Sequence, residues 1–414
     1  MVYIGVKKKS GILDFALFKS DSPCTAAAVF TTNQFSAAPV QLSKLQLSQY
    51  NNHIFGVVIN SGCANACTGT QGMTDAENTI KYANKLGIQN ALVMSTGVIG
   101  PNLPMDKIYH GIELGNKSLN NDNTAWQNAS KAIMTTDTVN KLVSESYELS
   151  DGTEFILSGT AKGAGMIHPN MATMLSVVCC DISIDQQLLQ HAVKYAADRS
   201  FNNISIDGDT STNDTFAVLC NHQAGNHKIT DIHSSDYQIF QSALTRTSTS
   251  LAKQLVLDGE GATKFVSITV ANVDTFNNAR VIASSISTSA LVKTALFGQD
   301  ANWGRILCAT GYAGVKFDSN KVNLFFIDES ETNTENNEGI RTINKSMIYS
   351  NTTQSLHLVK NGQPYHIDED IALRLLQQKN IYIYLDLGIG EYETTQWTCD
   401  FSYDYVKINA DYRS

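Results

Sequence analysis

Residues 162–175 read KGAGMIHPNMATML, a run bent by glycine and proline that ends in Ala172 and Thr173 before an apolar stretch begins. A threonine alcohol inside a chain is a weak nucleophile unless a base is held beside it. Scission of the Ala172–Thr173 peptide would supply that base. The freed α-amine sits on the same residue as Oγ1 and has an ordinary pKa of about 7.7–8.0, so a usable fraction is neutral near pH 7. Gly163 and Gly165 reach backbone conformations closed to other residues, and Pro169 fixes one dihedral. The approach to Thr173 can therefore be bent until its hydroxyl meets the Ala172 carbonyl. A buried strand over residues 174–180, starting directly after the nucleophile, would fix its Cα while leaving amine and hydroxyl at the strand's mouth.

Six further segments stand in order along the chain. They are AAAVFTTNQFSAAPV at 26–40, VINSGCANACTGTQG at 58–72, STGVIG at 95–100, DGEGATK at 258–264, FGQDANWGR at 297–305 and TCDFSYDYVKINADYRS at 398–414. Together with the 162–175 run they resemble, nearly end to end, the ArgJ family of ornithine acetyltransferases, also called glutamate N-acetyltransferases. The resemblance implies a mixed α+β (α/β) fold of layered sheets sandwiched by helices, shared with the related self-cleaving DmpA-type aminopeptidases. It also implies scission at Ala172–Thr173 into an α subunit, 1–172, and a β subunit, 173–414, commonly assembled as an α2β2 heterotetramer.

The same resemblance assigns roles residue by residue. Thr173 is the nucleophile, and Thr96 with Gly97 in STGVIG supply the oxyanion hole, a task for which loss of one donor typically costs about 2.7–4 kcal/mol. Thr136 and Lys162 contact substrate from the first fragment, the lysine as a fixed cation for a carboxylate. Glu260, between Gly259 and Gly261, presents a carboxylate on a bare backbone to a substrate ammonium. Asn409 and the terminal Ser414 complete the set, Ser414 standing where threonine is frequent. Both would need a docked tail, for which Tyr403, Tyr405, Val406, Ile408 and Tyr412 offer apolar packing.

The implied reaction is a ping-pong transfer of acetyl from N2-acetyl-L-ornithine to L-glutamate through an acetyl-Thr173 ester, a step of arginine biosynthesis. No cofactor is expected. Some family members also accept acetyl-CoA, and no local feature decides that point; GTAKGAG lacks the GxxxxGK[ST] phosphate-loop pattern. Two other readings stay open: a DmpA-type aminopeptidase in which water attacks the acyl-enzyme, and a non-catalytic α/β protein that merely holds amino acids.

Composition sets outer bounds. With 414 residues and 43% hydrophobic content, the chain can bury more than one core. A formal net charge of −9 argues against a nucleic-acid partner, which needs a clustered positive surface, the one dense basic run being Lys7–Lys9, read as a solvated turn. No window approaches the roughly 20 apolar residues that span a bilayer, and the N-terminus reaches its lysines before an apolar signal core forms. A cytoplasmic protein is expected. The eight cysteines are scattered, and Cys63 with Cys67 lack the partners of a metal site, so most should be buried small hydrophobes and no metal is expected.

Periodicity predicts alternating elements. Thr74 with Glu77 reads as a capping box before Ile80, Ala83 and Leu86, Asp185 as the cap of a second helix, and residues 235–257 as the longest helix. Strands are predicted at 55–59, 91–94, 155–157, 174–180, 215–219, 265–270, 322–327 and 381–387. The polar stretch 328–338 reads as an exposed excursion.

Overall fold

The computed structural model describes residues 1–7, 11–168, 174–350, 354–365 and 367–411. Two compact units emerge, one built from residues 1–202 and 209–255, the other from 203–208 and 256–414. Neither boundary falls at the predicted scission, which lies within the first unit.

Along the chain the first six strands are β1 (Phe15–Phe30), β2 (Ile54–Cys63), β3 (Leu92–Val98), β4 (Lys141–Glu148), β5 (Glu154–Lys162) and β6 (Leu175–Cys180). The short β7 (Ile204–Ser205) belongs to the second unit and β8 (Thr215–Cys220) to the first. Helices α1 (Ala38–Tyr50), α2 (Gly69–Lys85), α3 (Met105–Lys117), α4 (Asn123–Ala132), α5 (Gln186–Arg199) and α6 (Ser235–Leu257) accompany them.

The first sheet has the order β3-β2-β1-β8-β6-β5-β4. Its axis is β1, which pairs antiparallel with β2 through Phe15–Lys19 and then with β8 through Thr25–Phe30. Parallel pairs β2/β3 and β6/β8 lie on either side, each joined through an intervening helix. Both faces are apolar, as parallel strands require. Phe15, Leu17, Val58 and Val93 pack under Ile80 and Ala83 of α2 and Ile108 and Ile112 of α3. Their neighbours Ala16, Val57, Ile59, Leu92 and Met94 face the opposite way, against Ala129 and Ala132 of α4. Period-two alternation thus feeds two helical layers, and each fully buried Phe, Ile or Leu contributes about 1.5–3 kcal/mol.

The second unit adds β9 (Phe265–Val273), β10 (Asn323–Ile327), β11 (Thr332–Glu335), β12 (Arg341–Ile343), β13 (Leu356–Lys360), β14 (Gln363–Pro364), β15 (Asn380–Asp386) and β16 (Tyr392–Cys399). Its helices are α7 (Phe276–Ser287), α8 (Ala290–Phe297), α9 (Trp303–Gly311), α10 (Lys345–Ile348), α11 (Glu369–Gln377) and α12 (Tyr403–Ala410). The sheet order is β14-β13-β10-β15-β9-β16-β7, with β9 and β15 parallel at its centre. Ile381, Ile383 and Leu385 point into a core shared with α7, α8, α9 and α11, whereas Tyr382 and Tyr384 face a smaller cluster around Phe325 and Ile348. The mixed α+β layering is therefore as expected.

Several local expectations need correction. The helix expected to start at Thr74 starts at Gly69, and the Thr74 hydroxyl donates to the Thr70 carbonyl from inside it. Asp185 does cap α5, accepting from the Gln187 amide. The stretch 328–338 is exposed at Ser330 and over 333–337 but not throughout. Asp328 and Glu331 are buried, and the Glu331 carboxylate accepts from the Gln354 amide and the Ser355 hydroxyl. Lys7 is not a solvated residue: its ammonium donates to the Leu13 carbonyl at 2.8 Å and its amide to Asp14, while Lys8 and Lys9 lie outside the described residues.

Candidate active site

Thr96 and Gly97 sit at the end of β3, where regular pairing with β2 fails. Ser61 faces Thr96 and Gly62 faces Gly97, but Cys63 then faces both Thr96 and Val98. Gly97 has φ +127, a conformation that side chains rarely adopt, and a Cβ there would lie 2.4 Å from the Gly62 carbonyl carbon. Two glycine backbones thus press together beneath Thr96. A buried amide network holds this corner. Ser95 Oγ donates to Asn60 Oδ1 at 2.6 Å, and Asn60 Nδ2 donates to the Cys63 carbonyl at 2.8 Å.

Lys162 ends β5, buried, with its backbone paired to Leu175 and its Nζ 3.4 Å from Thr135 Oγ1. Thr136, half-buried, lies in the turn just beyond that threonine. The turn is organised by Asp137, one of whose oxygens accepts from the Thr135 amide at 2.8 Å and the other from Gly163 N at 2.6 Å and from Lys141 Nζ. Burial alone would raise the Asp137 pKa, but Lys141, then Lys162, then the Thr135 amide outweigh it and hold the carboxyl below its usual range. Asp214, also beside Lys162, behaves oppositely: burial lifts it well above the carboxylate range despite the lysine and the Met174 amide. Lys162 thus stands between one acid held below its usual range and one pushed above it, with Thr136 and Lys162 brought to the same corner.

In the second unit Glu260 and Asn409, far apart in sequence, meet directly. Asn409 Nδ2 donates to Glu260 Oε2 at 2.8 Å and to the Tyr405 carbonyl at 3.0 Å. The glycine turn is buttressed from behind: Asp400 accepts from the amides of Thr263 and Lys264, and Ser402 Oγ donates to the Gly261 carbonyl. Gly261 has φ +69, and a Cβ there would lie 2.5 Å from Tyr405 N. A buried cation anchors the strand end from which the tail departs. Lys293 Nζ donates to Thr398 Oγ1 at 2.8 Å and to the Cys399 carbonyl, and burial pushes its pKa down against Cys399, Asp400 and Asp207.

The expected apolar packing of the tail is found only in part: Tyr405 stacks on Phe401 and Tyr403 meets the Phe297 ring edge-on. Tyr403 is 84% exposed and Val406 67%, and α12 buries none of its residues. Polar contacts add to these rings, the Tyr405 hydroxyl donating to Asp207 and the Asn409 amide to Glu260. Ala172, Thr173 and Ser414, expected at the scission and substrate site, lie outside the described residues, as does Tyr412.

Sequence reading missed Asp137, Asn213, Asp214 and Lys293. Asn213 and Asp214 precede the apolar β8, Asp137 lies in a polar stretch before β4, and Lys293 sits inside α8, so in one sequence each reads as an ordinary polar position. Cys63 and Cys67 share no face: Cys63 closes β2, buried, and Cys67 is exposed before α2. Among the described residues no group of three or more His, Cys, Asp or Glu could hold a metal ion, and no helix is long and apolar enough to cross a membrane. A cavity of about 550 Å³ lined by Phe18, Lys19, Trp126 and Cys179 contains none of the predicted site residues.

A family model described as the ArgJ family matches residues 1–414. The chain belongs to the ArgJ family. It is similar to the mitochondrial arginine biosynthesis bifunctional protein ArgJ of Podospora anserina, at 48% identity over 99% of this chain and 87% of the relative. The protein of that name from Neurospora crassa is also 48% identical, over 100% of this chain and 87% of its own length. A crystal structure of the bifunctional ArgJ protein of Bacillus halodurans is 34% identical and covers 56% of this chain and 95% of its own, with a TM-score of 0.47.

Family membership makes the chain an enzyme of arginine biosynthesis. The relatives' names overturn the cytoplasmic expectation, because both fungal proteins are named mitochondrial. The reason is physical: an organellar address is carried by a separable amphipathic segment, so the composition of a folded body does not encode it.

Proposed function

We propose that this enzyme transfers the acetyl group of N2-acetyl-L-ornithine to L-glutamate by a ping-pong route, after cutting itself at Ala172–Thr173. The Thr173 hydroxyl attacks the acetyl carbon, its proton passes to the neighbouring α-amine, and the C–N bond to ornithine breaks as ornithine takes that proton. The α-amine of glutamate then attacks the acetyl ester, giving N-acetyl-L-glutamate and restoring Thr173. Thr96 and Gly97 would steady the tetrahedral oxyanion in each half-reaction. An amide is exchanged for a similar amide, so the reaction needs little driving force.

The observation that carries this reading is the whole-chain family match joined to two built polar corners. One holds Lys162 beside Thr135 and Asp137; the other holds Glu260 against Asn409. The substrates carry a cationic and an anionic side chain, and Glu260 and Lys162 are of the charge types that pair with each. The bifunctional naming of the relatives supports acetyl-CoA as a second donor, and their mitochondrial naming supports the same compartment here.

Mass spectrometry of purified protein tests the scission: two fragments, the second beginning at Thr173, are expected, with Thr173→Ala remaining one chain. Incubation with acetylornithine should yield N-acetylglutamate only when glutamate is present. An intact, fully active chain, or acetate release indifferent to glutamate, would overturn the reading.

A further inference from the structure

The run Thr212–Asn213–Asp214–Thr215 leads into β8 and is buried throughout, Asn213 at 6% and Asp214 at 1% exposure. Its side chains and backbone reach in two directions within the first unit. Asn213 Nδ2 donates to the Ser95 carbonyl at 2.8 Å and to the Ala64 carbonyl at 2.6 Å, so both amide hydrogens are used. The Thr212 hydroxyl donates to Asn213 Oδ1 at 2.6 Å, which fixes the orientation of the amide. Ser95 is one peptide bond from Thr96.

On the other side, the Met174 amide donates to the Asp214 carboxyl, and the Met174 carbonyl accepts from Thr215 N at 3.0 Å. Both polar backbone groups of Met174 are therefore held by consecutive residues of the same run. Met174 is one peptide bond from Thr173. The second Asp214 oxygen, Oδ2, is buried without a hydrogen-bond partner among the described residues. Packing alone does not call for a carboxyl there, since burying an unmet polar atom costs stability.

We infer that Asn213 and Asp214 are positioning residues for acyl transfer: as adjacent links they set the spacing between the oxyanion corner at Thr96–Gly97 and the strand that begins beside Thr173. Neighbouring Cα atoms are held about 3.8 Å apart, so a clamp made of two consecutive residues is short and stiff. A misplacement of about 1 Å in such a site costs roughly 100-fold in rate. The inference rests on the proposed function, because it uses the nucleophile and oxyanion roles given there.

The test compares wild type with Asn213→Asp, Asp214→Ala and Asp214→Asn, each first shown to melt cooperatively. Rate of precursor scission is followed on denaturing gels, and kcat and KM for acetylornithine and glutamate are measured on cleaved protein. Asn213→Asp keeps the shape but removes two donors, and Asp214→Ala removes the anchor on Met174. Each should slow scission and lower kcat at least about tenfold with KM unchanged within about twofold. Asp214→Asn keeps an acceptor for the Met174 amide and should recover most of that loss.

Scission and turnover of Asn213→Asp at the wild-type rate would overturn the inference, as would an Asp214→Asn protein as slow as Asp214→Ala. Should Asp214→Ala fail to fold, the two isosteric variants decide by the same criteria. Failure of the wild type itself to cleave or transfer acetyl would instead sink the proposed function, so the two failures are distinguishable.

Discussion

At Gly97 the backbone adopts a conformation that glycine tolerates and presses against Gly62, so no side chain can be added without moving two strands. Gly97→Ala should destabilise the first unit by about 2–5 kcal/mol, combining left-handed strain with overpacking, and urea unfolding reads this directly. Asp214 gives a prediction in pH. Its folded pKa is raised, so the stability it confers is complete below the unfolded value of about 3.9 and declines as pH rises toward the folded value. Asp214→Asn has no such decline, so its stability relative to wild type should grow as pH is raised from about 4 toward neutrality. Urea midpoints across pH 4–8 check it; a constant difference would contradict a buried acid of raised pKa. At this scale the family segments draw attention to Lys162 and Glu260, and both side chains lie in buried polar surroundings. Asp214 and Asn213 were not legible, because a buried polar network depends on strands distant in sequence and leaves only an ordinary polar tetrapeptide in the chain.

Among the elements, legibility followed continuity of apolar pattern. The helix predicted at 235–257 is found as Ser235–Leu257, and the predicted strands 215–219 and 381–387 differ from Thr215–Cys220 and Asn380–Asp386 by a residue or so at an end. The longest strand, Phe15–Phe30, was invisible. Its middle reads Lys-Ser-Asp-Ser-Pro-Cys, which looks like a loop, and the pairing with β2 shifts there as the strand changes partner from β2 to β8. The tail helix departs from expectation in the opposite sense, because Tyr403 and Val406 face outward and only Tyr405 is partly covered. Since α12 buries no residue, removing residues 409–414 should leave the melting temperature within about 3 °C of the full chain, a shift worth less than about 1 kcal/mol. Acetyl transfer should nevertheless be lost with Asn409. Calorimetry and an activity assay on the truncated protein separate the two effects, and full activity would show that the tail does not serve the site.

For the whole molecule, the two compact units and the proposed fragments divide the chain differently. Composition placed the protein among acidic, well-cored chains, but it carried no information about compartment, which had to come from relatives. The pairing Lys162↔Leu175 closes the ladder between β5 and β6 on either side of the proposed scission. Cutting there would separate the chain covalently while leaving both ends stitched into one sheet. A refolding experiment would then distinguish precursor from product by molecularity: the uncut polypeptide regains structure at a rate independent of its concentration, whereas severed halves, once dispersed in denaturant, must first find each other and recover more slowly as they are diluted.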